Sequence, residues 1–99
     1  MNMKILALEH ELPEATADKF WVHARDEART VWALHQAGVI REMYFRAVRS
    51  EAVLVLECAS VNEAWEVLTT LPLVQNRLIT FDVIPLKPYS GIERLFEKN

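Results

Sequence analysis

Between Ser60 and Pro88 nearly every local signal agrees, and this segment constrains the fold more than any other part of the chain. Ser60 followed three residues later by Glu63 is a capping box, in which each side chain satisfies a backbone N–H that the first helical turn leaves orphaned. A helix is expected to start there. Val61, Ala64, Trp65, Leu68 and Leu71 then recur at three- and four-residue spacings as one apolar stripe, which ends where Pro72 forbids further helical hydrogen bonding. A strand is expected over Leu78 to Leu86. The first half of the chain repeats this order of helix and strand, and the repetition sets the topology.

Lys4 to Glu9 reads as a first strand, apolar on both faces and ended by Leu12-Pro13. A helix is expected from Glu14 to Gln36, with Phe20, Trp21, Ala24, Ala28, Val31, Trp32 and His35 on a broad apolar face. Gly38 stops it, where a left-handed residue without a Cβ penalty is wanted. Val39 to Val48 alternates apolar and polar residues as a half-buried strand does. Arg49-Ser50-Glu51 is the only polar break before a further strand at Ala52 to Cys58, so these two strands are expected to form a hairpin. The resulting order, βαββαβ, is the ferredoxin-like split motif. It predicts an α+β fold with a four-stranded antiparallel sheet and two helices on one face.

Two helices cover one face of such a sheet. Yet Ile5–Leu8, Val53–Leu56 and Phe81–Ile84 carry apolar residues pointing both ways, because successive side chains alternate faces. The second face would exceed the roughly 300 to 600 Å² apolar patch of a typical soluble monomer. A second copy is therefore expected to cover it, giving a homodimer or larger homo-oligomer. At 99 residues the chain is one domain. Its tail, residues 89–99, places Ile92, Leu95 and Phe96 at helical spacing and is expected to dock on its own or a neighbouring subunit.

Composition excludes several classes. The net charge of −3 and scattered arginines argue against a nucleic-acid partner. The apolar stretch near the N-terminus, Ile5 to Leu8, is too short for a signal sequence or a membrane span, so a cytoplasmic protein with no membrane partner is expected. Cys58, the single cysteine, sits in an apolar run and reads as a buried, inert thiol. The three histidines have no i, i+3 or i+4 pair and no cysteine pair beside them, so no metal is expected. No phosphate loop or nucleophile elbow is present, which removes nucleotide enzymes and serine hydrolases.

The chain resembles muconolactone isomerase and its relatives, small bacterial proteins of the dimeric α/β-barrel type. The resemblance runs through Leu12-Pro13, Asp26-Glu27, Leu34, Gly38, Arg41, Ala47, Ser60-Val61, Leu68, Leu71-Pro72-Leu73, Asp82 and Pro88, with Leu71-Pro72-Leu73 its most specific part. It implies a cofactor-free isomerase that moves a proton within an unsaturated lactone bearing a carboxylate. Around Arg41 this chain has Val39-Ile40 and Glu42, where the family is richer in aromatic and His residues.

Such chemistry requires a base near the carbon acid, a group to stabilise the enolate and a cation for the substrate carboxylate. Glu27, four residues after His23 on the first helix, is a candidate base; the other reading is a surface helix pair. Arg41 could clamp a carboxylate through two hydrogen bonds, or instead pair across strands with Glu57 or Asp82. His35 is a candidate catalytic group or a core histidine bonded to backbone. Glu57 and Asp82 interrupt apolar strands, and burial there would raise their pKa and make either an acid or a base. Tyr44 and His10 could donate to a developing oxyanion. Trp32, with Trp21 and Trp65, would line an aromatic pocket in a cofactor-independent oxygenase or cyclase of the same superfamily, or else pack the core. A non-catalytic binding or assembly protein is the third possibility. A cavity of about 300 Å³ or more with convergent polar groups separates a ligand-binding interior from a packed one.

Overall fold

Gly38 adopts φ +80° and closes the first helix. The N–H groups of Gly38 and Val39 donate back to the carbonyls of His35 and Leu34, each at 3.0 Å, the pairing by which a helix ends on a left-handed residue. In the computed structural model, which describes residues 2–97, this turn sends α1 (Ala17–Gln36) directly into strand β2 (Ile40–Phe45). α1 begins at Thr16, whose hydroxyl accepts the Lys19 N–H, and not at Glu14, because Pro13 and Glu14 form a turn. The remaining strands are β1 (Met3–Glu11), β3 (Ala52–Cys58) and β4 (Ile79–Pro85). They form one antiparallel sheet in the order β2-β3-β1-β4, as the ferredoxin-like arrangement requires.

The second helix, α2 (Val61–Leu68), starts where the capping box places it. Ser60 Oγ accepts the Glu63 N–H at 3.1 Å, while the Glu63 carboxylate accepts the N–H of Ala59, one residue before the cap. α2 ends at Leu68, earlier than its apolar stripe. Pro72 then opens a separate short helix, α3 (Pro72–Gln75), at the first helical position, where its missing N–H costs nothing. α3 closes on Arg77 at φ 60°, the same left-handed stop that Gly38 provides for α1, here without glycine.

Period-two alternation divides the sheet into two unlike faces. Ile5 and Ala7 of β1, Leu54, Leu56 and Cys58 of β3, and Ile79 and Phe81 of β4 are buried with Ala64, Leu68, Leu71 and Leu73 in a single core. Burial pushes the Cys58 thiol up, as expected of an inert cysteine. The opposite face carries Leu6, Leu8, Val53 and Val55, each half-buried, and Ile84, which is exposed. The two-sided apolar character expected of these strands is thus present, and no element of the described chain is placed over the outer face.

Beyond β4 the chain runs into a 3-10 helix at Ser90–Phe96. Tyr89, Ile92, Leu95 and Phe96 are all exposed, so the tail does not dock on its own subunit within the described residues. Residues 98 and 99 of the expected tail lie outside them.

Candidate functional site

α1 is twenty residues long and buries none of them fully. Phe20, Val31 and Leu34 of its apolar face pack partly buried against the core, but the helix closes only partly on the inner face of the sheet and leaves a cleft of about 660 Å³. Phe20, Trp21 and Trp32 of α1 form one wall; Leu54 and Phe81 of the sheet, with Leu73 of α3, form the other. The volume lies within the range of small-molecule pockets, and the lining is almost wholly apolar.

Two carboxyl groups interrupt that lining. Glu9 shares the inner face of β1 with Ile5 and Ala7 and is only 5% exposed. Its register partner on β4 is Phe81. Its Oε1 accepts the Ala52 N–H at 3.3 Å. Desolvation, with added repulsion from Glu27, Glu51 and Glu11, outweighs that one hydrogen bond and raises the Glu9 pKa to about 7. Glu27 faces the same cleft from α1, and its Oε1 accepts the Leu73 N–H at 3.0 Å. This contact caps α3, whose N-cap residue Leu71 has no side chain able to do so. Burial raises the Glu27 pKa as well, while the Leu73 hydrogen bond and the nearby His23 oppose the rise.

Two desolvated acids in one apolar cleft can divide the labour of proton transfer. The group held more strongly toward its neutral form donates, and the other accepts.

Of the residues expected from sequence, Trp21, Glu27, Trp32 and Tyr44 border this cleft, whereas Trp65 packs against the core. Tyr44 is on the edge strand, and its hydroxyl turns to Glu42 of the same strand at 2.8 Å, not to either cleft acid. His35 lies at the end of α1, where Nδ1 is 2.9 Å from the Ile40 carbonyl and the ring leans on Trp32 at 5.6 Å. That is the backbone-bonded histidine of the second reading above. None of Arg41, Glu57 and Asp82 borders the cleft; Arg41 instead pairs across strands with Glu57, the second reading given above, and Asp82 stands apart from both. Glu57, between the buried Leu56 and Cys58, projects from the outer face, and its carboxylate is 3.9 Å from the Arg41 guanidinium. Asp82 is exposed and bonds His10 at 2.6 Å.

Glu9 is the residue that the sequence reading passed over, although its parity with Ile5 and Ala7 already placed it on the helix-covered face. Among the described residues no three His, Cys, Asp or Glu side chains converge as a metal site requires. No helix there is long and apolar enough to cross a membrane. Compared with known family models and with curated protein sequences, the chain matches none.

Proposed function

We propose that this chain is a cofactor-free small-molecule isomerase that shifts a proton within an unsaturated lactone or similar carbonyl compound. The observation that carries the reading is the meeting of Glu9 and Glu27 in one apolar cleft of about 660 Å³. A cleft of that size with convergent polar groups speaks against an interior filled by its own side chains. In the proposed reaction the Glu27 carboxylate removes a proton from the carbon next to the carbonyl. The electron pair of that C–H bond moves into a dienolate, to whose oxygen neutral Glu9 donates a hydrogen bond. Return of the proton at the far carbon forms the new C–H bond and restores both carboxyls. A Glu9 pKa of about 7 keeps the neutral, hydrogen-bond-donating form of this carboxyl populated near neutrality.

The test is deuterium incorporation into unsaturated lactones in D₂O, followed by NMR. Wild-type protein is expected to exchange the proton beside the carbonyl, and Glu27→Gln to bind without exchanging. No exchange by wild type with any lactone that binds would leave a ligand-binding protein in its place.

A second copy is proposed to cover the outer face, where Leu6, Leu8, Val53, Val55 and Ile84 have no partner among the described residues. The exposed apolar residues of the tail support association with a neighbouring subunit in the same way. A cytoplasmic location fits this reading.

A further inference from the structure

We infer that the cleft takes an uncharged, flat, unsaturated ring compound whose polar handle is a carbonyl oxygen, and that it discriminates against the carboxylated form of the same ring. This rests on reading Glu9 and Glu27 as the working groups of the cleft. Both charged side chains that border it are acids, and among the described residues no Lys, Arg or His borders it. An entering carboxylate would meet the Glu27 charge in a desolvated slot whose lining supplies no cation.

Three arginines that could offset it are engaged elsewhere, and His23, whose charge acts on Glu27, does not border the cleft. Arg41 lies 3.9 Å from Glu57 on the other side of the sheet. Arg46 and Arg49, on the β2–β3 turn, converge on one oxygen of the buried Glu51, at 3.6 and 2.7 Å. The carboxylated lactone implied by the family resemblance therefore lacks its clamp.

Shape points to a planar ring. Phe20, Trp21 and Trp32 on the helix oppose Leu54 and Phe81 on the sheet, a slot in which a flat molecule stacks on one side and packs on the other. Aromatic walls with acids between them also suit an amine. The decision falls on Glu9, which is 5% exposed and, by burial and by its acidic neighbours, held toward the neutral form. A neutral carboxyl offers an O–H donor, which a carbonyl oxygen accepts and an ammonium cannot.

Coumarin, coumarin-3-carboxylate and an aminomethyl coumarin test this by calorimetric titration of the full chain at pH 6, below the Glu9 pKa of about 7, where its carboxyl is mostly neutral. Coumarin is expected to bind, with the carboxylate weaker by about tenfold or more. In Glu9→Gln/Glu27→Gln protein that gap is expected to shrink to about threefold or less. Should the double variant fail to fold, Glu27→Gln alone, whose amide oxygen can still accept the Leu73 N–H, is expected to narrow the gap. The inference is overturned by absent coumarin binding, by equal or tighter binding of the carboxylate, by preference for the amine, or by a gap that survives the substitutions.

Coumarin has no proton to shift, so its binding is independent of catalysis. Discrimination without lactone exchange would sink the isomerase reading and spare this one. Exchange confined to carboxylated lactones would do the reverse.

Discussion

The backbone N–H of Leu73 donates to Glu27 Oε1 at 3.0 Å across 46 positions of sequence. One carboxylate thus caps α3 and borders the cleft, and the two roles can be separated. Glu27→Gln retains an acceptor for Leu73 and is expected to keep stability within about 0.5 kcal/mol while abolishing proton exchange. Glu27→Leu loses both and is expected to cost a further 1 to 2 kcal/mol, roughly the value of a helix cap. Urea unfolding and NMR exchange on the same two proteins check this.

Glu9 makes stability fall as pH rises. Its pKa is 4.5 in an ordinary environment and about 7 in the folded protein, so between these values the folded state binds more protons than the unfolded one. Its contribution is most favourable below pH 4.5 and is lost as pH climbs through about 7. The difference corresponds to about 3 kcal/mol at most. Glu9→Gln is expected to flatten this dependence and to be more stable than wild type at pH 8. Denaturant midpoints at pH 5 and pH 8 that move in parallel for the two proteins would contradict it.

Arg41 faces Glu57 at 3.9 Å in a half-exposed pair, a contact worth little. Arg41→Ala is expected to leave the melting temperature and coumarin affinity nearly unchanged, with a stability effect below about 1 kcal/mol. A large loss of ligand affinity in this variant would return Arg41 to the site.

Association is expected to depend on the outer face of β3. Val55 sits there between Leu6 of β1 and Glu42 of β2. Val55→Asp leaves the core on the inner face untouched, so it is expected to yield a folded protein that sediments at 11.5 kDa. Wild type is expected to sediment at twice that mass or more. A monomeric wild type at micromolar concentration would sink the proposal of a covering copy.

Local signals were legible where their cause was local. Gly38 had to end α1, Ser60 and Glu63 had to start α2, and the alternation in β1 and β3 had to give two apolar faces; the strand order followed. The site was less legible because its groups meet through tertiary placement. The Leu73 N–H that holds Glu27 is distant in sequence, and nothing local announces it. Arg41 was misleading for a different reason: pairing between β2 and β3 slips between Ile40 and Glu42. A shift of one residue exchanges the faces of a strand, so the side of the sheet that Arg41 serves could not be counted from the flanking residues. Glu9 required knowing that the layer above β1 closes only partly over it.

That partial closure has a thermodynamic meaning. A helix of twenty residues without one fully buried side chain leaves the hydrophobic interior of the subunit unfinished. Whatever molecule enters between Trp32 and Phe81 takes the place of the missing core residues. Its binding would then carry the marks of a last step of folding: a negative heat-capacity change, slower amide exchange along α1, and a melting temperature that rises with ligand concentration.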